Sequence, residues 1–202
     1  MSDYIKFSCQ CLGDEITLFD ELAELNSYRR KLVGLGLVGV YENGIGFGNL
    51  SVRDAGSRNF YITGSRTGGV EELRLSHCAK VLAWDFERNQ VCYQGSVRPS
   101  SESMTHAAIY ASDPTATGII HCHSSTLWAA ILNDAPTTCK AVQNGTPEMA
   151  HEIKRLFTRS NAQTRKIIAM AGHEGGILTF GTDLGDAFAV LLRERASHES
   201  SS

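Results

Sequence analysis

The sequence has neither a long hydrophobic run nor a cluster of basic residues, and both absences narrow its function. Its longest apolar stretch, LVGLGLVGVY at residues 32–41, is too short and too rich in glycine to cross a bilayer. The 19 Lys and Arg are scattered and are outnumbered by 22 Asp and Glu, which gives a formal net charge of −3. Such a charge provides no electrostatic attraction to nucleic acid or to an anionic membrane, so we expect neither as a partner.

Proline is scarce, with 4 residues in 202, and no proline-rich, repetitive or low-complexity segment divides the chain. A chain of this length suffices for one domain with a substantial core and leaves little room for a second. We predict a single domain over residues 1–196. A disordered tail should follow over residues 197–202, where the sequence becomes polar and rich in serine.

The six cysteines form no recognisable redox or zinc motif, since the closest pair, Cys9 and Cys11, lacks the CxxC spacing. The opening MSDYIKFSCQC has neither the basic start nor the apolar segment of a secretory signal. Outside an oxidising compartment, free thiols are the expected state of such cysteines. The sequence therefore predicts a cytoplasmic protein without disulfides.

Hydrophobic periodicity predicts helices and strands that alternate irregularly. An amphipathic helix is expected over residues 16–37, with an apolar stripe formed by Leu18, Leu22, Leu25, Leu32 and Leu35. Further helices are expected near residues 100–113, 125–133, 145–160 and 183–195. Strands are expected near residues 4–11, 48–54, 59–63, 80–86, 90–95, 117–123, 166–172 and 175–181. Because hairpins occur among these elements, we predict a layered α/β/α domain with a mostly antiparallel or mixed central sheet.

Two histidines stand one residue apart in GIIHCHSS, residues 118–125, at the end of an apolar run. In a strand, residues two apart point to the same face, so His121 and His123 would converge while Cys122 faces away. Both a metal-binding pair and an ordinary pair of strand-end histidines fit this spacing.

A third histidine completes the candidate metal site. His173 ends the predicted strand KIIAMAG and is followed by EGG, so it can reach into a cleft with little steric obstruction. Three imidazoles that leave one coordination position open are typical of a catalytic zinc. His106 either packs beneath this site or supports it from a second layer, and the sequence does not separate the two.

The stretch RPSSESMTH, residues 98–106, adds polar groups at the start of a predicted helix. Ser100 or Ser101 can cap the helix, and both would present hydroxyls and the positive helix end to an anion. Glu102 follows at the same helix terminus. The glycine-rich ITGSRTGG, residues 62–69, could surround an anion with backbone N–H groups or could be an ordinary loop.

In this order, the motifs GNLSVR, IT…TGG, PSSE, HAAIY, HCH and GHEGG resemble the class II aldolase/adducin family. The resemblance implies one zinc, or another divalent metal, held by His121, His123 and His173. It also implies that Glu102 is the acid/base, placed on or near the metal. Positions that bind the substrate phosphate in the family are matched by Asn49, Thr67, Gly68, Ser100 and Ser101. A homotetramer with active sites between subunits is implied as well.

The resemblance implies a zinc-dependent aldolase-type lyase that acts through an enediolate on a small hydroxylated ketone or on a sugar, either free or phosphorylated. An epimerase or dehydratase at the same metal site, and a non-catalytic adducin-like binding protein, are the alternatives. Three features depart from the family. The loop ITGSRTGG is one residue longer than usual and lacks its proline, the segment 134–144 is short, and the tyrosines used by the aldolases and epimerases are missing.

Overall fold

The computed structural model describes residues 5–199, and its central feature is one large mixed sheet. Among the described residues, eight strands form this sheet in the order β1-β7-β6-β5-β4-β8-β10-β9. Their bounds are Ser8–Cys11 (β1), Asn49–Arg53 (β4), Phe60–Thr63 (β5), Cys78–Asp85 (β6), Gln90–Gln94 (β7), Gly118–His123 (β8), Ile167–Ala169 (β9) and Gly176–Gly181 (β10). Neighbouring strands are antiparallel except β1 and β7, which are parallel. The predicted mostly antiparallel sheet is confirmed.

A separate small hairpin and a set of helices complete the described chain. The hairpin pairs β2, Gly39–Val40, with β3, Gly46–Phe47. The helices are Leu22–Gly34 (α1), Ser103–Ser112 (α2), Ser125–Ile131 (α3), Pro147–Arg159 (α4), Ala162–Arg165 (α5) and Leu184–Glu199 (α6). None of the helices between residues 5 and 199 has the length and apolar character that a membrane crossing requires.

The sheet separates two hydrophobic cores, which gives the predicted α/β/α layering. One core packs residues of α2 and α4 against the sheet, and the other packs α1, α3 and α6 against the opposite face. Strand β8 contributes to both, because Ile119 belongs to the first core whereas Ile120 and Cys122 belong to the second. His121 and His123 therefore share the face of Ile119 and lie on the α2 side, as the alternation predicted.

The first helix is shorter than predicted. It begins at Leu22 rather than at residue 16, and Leu18, assigned to its apolar stripe, is 68% exposed in the preceding loop. Leu35, also assigned to the stripe, is the C-cap and is exposed, because Gly36 adopts a positive φ of 69° and ends the helix. Two predicted members of the stripe therefore lie outside the core.

Two helix ends also differ from prediction. Neither Ser100 nor Ser101 caps α2, since Glu102 occupies the N-cap position and makes no side-chain capping bond. The last helix extends through Glu199, where Arg195 Nη2 donates to Glu199 Oε1 at 3.1 Å one turn later. Residues 197–199 of the predicted tail are thus helical, and residues 200–202 lie outside the described chain. The single-domain assignment stays a prediction.

Candidate metal centre and active site

Three strand ends bring His121, His123 and His173 together. Strand pairing sets Gly176, the first residue of β10, opposite His123, the last residue of β8. His173 lies in the turn just before β10, at the same end of these two strands. The Nε2 atoms of His173 and His123 are 2.9 Å apart, and the three ring centroids lie 4.7–5.3 Å from one another. Among residues 5–199, these three side chains form the group whose ligand atoms lie within 4.8 Å of one another.

The environment keeps all three imidazoles neutral near pH 7. Burial lowers the pKa of His121 well below its usual value, and the neighbouring histidines add to the effect. Burial, followed by repulsion from His173, lowers the pKa of His123 to about 3. The pKa of His173 is lowered by burial, although Glu102 opposes that shift. Neutral imidazoles are the form that binds a metal ion.

Hydrogen bonds to the Nδ1 atoms of His121 and His123 leave the Nε2 atoms of both rings available for a metal. His123 Nδ1 lies 3.0 Å from the hydroxyl of Tyr41, and His121 Nδ1 lies 3.1 Å from the Asn49 amide. Among the partners that residues 5–199 offer, none binds Asn49 Oδ1 or His121 Nε2, and both atoms are buried. Turning the Asn49 amide lets Oδ1 accept from Nδ1–H, which leaves a lone pair on His121 Nε2. The buried, unpaired Nε2 therefore suits a metal ligand.

Glu102 lies beside the histidines and is held by two hydrogen bonds. It is 1% exposed, and its Oε2 accepts from Thr105 Oγ1 while its Oε1 accepts from Asn144 Nδ2, both at 2.7 Å. Glu102 is not a member of the converging three-histidine group. An ionised carboxylate has about four acceptor sites, so lone pairs remain for a substrate proton.

One cavity of about 810 Å³ collects every residue predicted for the site. Its lining includes Glu102 and the three histidines together with the predicted anion-binding residues Asn49, Thr67, Gly68, Ser100 and Ser101. Within the described chain, neither serine hydroxyl donates to a protein group, and Ser100 Oγ accepts from Glu102 N at 3.3 Å. The hydroxyl of Thr67 donates to Gly64 O at 2.7 Å, so its proton is already engaged within the loop.

The motifs in the sequence do not indicate three polar residues of the cavity, Tyr41, Asn43 and Asn144. Tyr41 lies in the turn of the β2–β3 hairpin, 82 positions from the histidine that it contacts. The dipeptide Asn43-Gly44 was the available signal for that hairpin, because Asn-Gly favours tight turns. Asn144 precedes α4 and is also bound by Lys6, whose Nζ donates to Asn144 Oδ1 at 3.3 Å.

His106 lies on α2, outside the lining of the cavity, in a buried network of polar side chains. It is fully buried, and its Nδ1 is 2.7 Å from Ser51 Oγ, which in turn is 2.8 Å from the hydroxyl of Tyr110. Burial lowers the pKa of His106 to about 3, so the ring is neutral. His106 also contributes, after burial and the other two histidines, to the lowered pKa of His121.

Comparison with known families identifies the family of this chain. The sequence model of the class II aldolase and adducin N-terminal domain matches residues 42–194. The chain belongs to this family. Members of the superfamily include aldolases and a decarboxylase, which are lyases, so the enzyme class suggested by the motifs holds at the level of the superfamily.

Named relatives agree with this assignment. A Haemophilus influenzae protein described as 3-oxo-tetronate 4-phosphate decarboxylase is 31% identical over 166 residues, which cover 73% of this chain and 74% of that protein. The fold is similar to that of an L-fuculose 1-phosphate aldolase, with a TM-score of 0.64, 24% identity and coverage of 90% and 84% of the two chains. It is also similar to a sugar-phosphate aldolase of Thermotoga maritima, with a TM-score of 0.65, 17% identity and coverage of 88% and 91%.

Proposed function

We propose that the protein is a metal-dependent lyase that breaks a carbon–carbon bond next to the ketone of a small, phosphorylated hydroxy ketone. The observation that carries this proposal is the content of one cavity: three neutral imidazoles, a buried carboxylate and a loop rich in backbone N–H groups. Zinc is the expected metal, and a metal bound by His121, His123 and His173 would supply a Lewis acid that polarises the ketone.

Glu102 is the proposed acid/base. Its hydrogen bonds from Thr105 and Asn144 fix the carboxylate in one orientation within the cavity. A carboxylate so fixed can take a proton from a substrate hydroxyl before cleavage, or return one to carbon afterwards. No lysine lines the cavity among the described residues, so no amine is available there for a Schiff base.

The anionic group of the substrate is assigned to the residues around the 64–68 loop and the start of α2. Ser100 and Ser101 offer hydroxyls, and Thr67 and Gly68 offer backbone N–H groups, all within the same cavity as the histidines. The positive end of α2 adds a favourable potential for an anion at its first turn. A phosphate held there would leave the ketone free to face the histidines.

Decarboxylation is the second candidate reaction, and the 31% identical relative described as a 3-oxo-tetronate 4-phosphate decarboxylase favours it. In that reaction the bond that breaks is also next to a ketone, and carbon dioxide leaves instead of an aldehyde. Both reactions leave an electron pair beside the carbonyl, and Glu102 would manage the proton in each.

The deciding experiment compares two substrates on protein with a measured metal content. L-fuculose 1-phosphate reports aldol cleavage through release of a triose phosphate, and 3-oxo-tetronate 4-phosphate reports decarboxylation through release of carbon dioxide. We expect fuculose 1-phosphate to be poor, because segment 134–144 lacks the tyrosine that family aldolases carry. Metal-loaded protein that cleaves neither substrate, nor any of a wider set of ketose phosphates and hydroxy ketones, would contradict the lyase proposal and favour the epimerase, dehydratase or binding-protein alternatives.

Replacing both Ser100 and Ser101 with Ala should weaken substrate binding more than it slows chemistry. The two hydroxyls contact the anion and not the reacting carbon, so KM should rise about 10- to 100-fold with a smaller change in kcat. Steady-state kinetics on the phosphorylated substrate measure the effect. A fall in kcat with unchanged KM would show that the serines act at the reacting carbon instead.

Replacing Asn144 should disturb Glu102. Asn144→Ala removes one of the two donors, and Asn144→Asp sets a second carboxylate at the hydrogen-bonding distance of 2.7 Å. Repulsion between the two carboxylates would displace Glu102, and such displacement can cost about 10²-fold in kcat. Measured kcat should therefore be highest in the wild type, lower in Asn144→Ala and lowest in Asn144→Asp.

Gln143→Glu is the matched charge control for Asn144→Asp. Gln143 is the exposed neighbour of Asn144 and also accepts from Lys6, at 3.3 Å. Its replacement adds the same charge nearby without touching Glu102. Equal kcat losses in the two acidic variants would refute the positioning role of Asn144.

A further inference from the structure

Arg29 is a buried cation whose partners are backbone carbonyls. It lies on α1 and is 3% exposed, although most buried arginines pair with a carboxylate. Its Nη2 donates to Thr67 O at 3.0 Å and to Gly68 O at 2.8 Å, and its Nη1 donates to Glu71 O at 3.2 Å. Burial lowers the pKa of Arg29, yet a guanidinium remains protonated at any physiological pH.

These contacts orient the loop that lines the cavity. In a trans peptide unit the N–H points opposite to the C=O, so the N–H groups of Gly68 and Gly69 face away from Arg29. Within the described chain, neither N–H donates to a protein acceptor, and Gly68 lines the cavity. Arg66, at the start of this loop, adopts a left-handed φ of 65°. Such a conformation helps successive backbone N–H groups to form a concave anion-binding site.

The same face of α1 fixes the far end of this segment. Asn26, one turn before Arg29, is buried and donates from Nδ2 to Leu73 O at 2.8 Å while its Oδ1 accepts from Leu73 N at 2.9 Å. Helix α1 therefore holds residues 67–73 at both ends. The segment itself contains no proline that would restrict its backbone.

We propose that Arg29 is the positioning residue of the anion-binding loop, holding its carbonyls so that its N–H groups are preset for the substrate phosphate. The buried guanidinium also places a permanent positive charge behind the loop, where no protein carboxylate neutralises it among the residues described. A charge screened from water acts more strongly on a bound anion than one at the surface. This inference rests on the proposed function, since it concerns how that site holds its anion.

The test measures binding of inorganic phosphate to the metal-loaded protein by calorimetry. Arg29→Met preserves much of the buried stem and removes both the charge and the three donors. Phosphate affinity should fall at least about tenfold. Arg30→Met is the matched control, because Arg30 is the exposed neighbour on the same helix and should leave phosphate affinity unchanged.

A second variant keeps the proposal testable if Arg29→Met does not fold. Arg29→Lys keeps the charge but loses the fork that spans three carbonyls, so its phosphate affinity should lie between those of wild type and Arg29→Met. With substrate, both variants should raise KM while kcat and metal content stay near wild type. A general loss of structure would lower all of these together.

The possible failures are distinguishable. Wild-type protein that binds no phosphate would overturn the anion-binding part of the proposed function and this inference with it. Wild-type protein that binds phosphate, with folded Arg29→Met or Arg29→Lys binding it equally well, would overturn only the role of Arg29. If Arg29→Met does not fold, Arg29→Lys alone decides, because its phosphate affinity is either lowered or unchanged.

Discussion

Glu102→Gln should lower kcat by about 10²- to 10⁴-fold, the range typical for removal of a positioned acid/base. The side chain is 1% exposed and shares one cavity with the three histidines. Glutamine has nearly the same shape but cannot take up or return a proton at its amide. Because Glu102 is not one of the converging metal-ligating side chains, the metal content should stay close to that of wild type.

Two measurements separate this loss of chemistry from a loss of metal. Elemental analysis reports the metal per chain, and a single-turnover assay reports the chemical step. Glu72→Gln, the same change at an exposed position outside the cavity, should leave both unchanged. If Glu102→Gln turned over substrate at the native rate, the acid/base would have to be another residue.

The histidine pair was predictable because its geometry is local. Strand alternation alone places His121 and His123 on one face and Cys122 on the other, and the two cores of the protein divide in that way. The sequence could not supply the distances, since the approach of His173 depends on the pairing of β10 with β8. The resemblance to the family is what links His173 to this pair from the sequence.

Helix α1 shows why the pattern of hydrophobic residues did not predict which of its side chains are buried. Its buried face carries Asn26 and Arg29 beside Leu25 and Leu32, and polar residues count against burial in any hydrophobicity pattern. They are buried because loop carbonyls satisfy them, and those carbonyls lie about 40 residues further along the chain, at separations of 38 to 47. The sequence around Asn26 and Arg29 does not indicate such distant partners.

Asn144 escaped prediction for a similar reason. In the sequence, segment 134–144 stands out by its short length and by the family tyrosine that it lacks. The structure shows an amide in that segment with a cation on its oxygen and a carboxylate on its nitrogen, from Lys6 and Glu102. Because Lys only donates and an ionised Glu only accepts, an amide is suited to link them. Its contribution depends on two partners that are remote in sequence.

Gly176→Ala should remove His173 from the metal site without changing any histidine. A Cβ at residue 176 would lie 2.4 Å from His173 Cδ2 and 2.9 Å from His173 O, closer than real Cβ atoms approach other heavy atoms. The backbone at Gly176 cannot easily withdraw, because Met170 N donates to Gly176 O at 3.0 Å and β10 pairs with β8 at His123. The turn that carries His173 must therefore shift together with its imidazole, away from the cluster.

Loss of one of three imidazoles should lower metal affinity by at least about 100-fold, more than the 10- to 100-fold typical of an outer-layer change. Titration of the metal-free protein with zinc measures the affinity, and the thermal unfolding of that metal-free form shows whether the fold persists. Gly34→Ala is the matched control, since a Cβ at that helical position meets no atom within 4 Å. A Gly176→Ala protein that bound zinc with native affinity would show that His173 is not a ligand, because its ring cannot keep its present position beside the new methyl group.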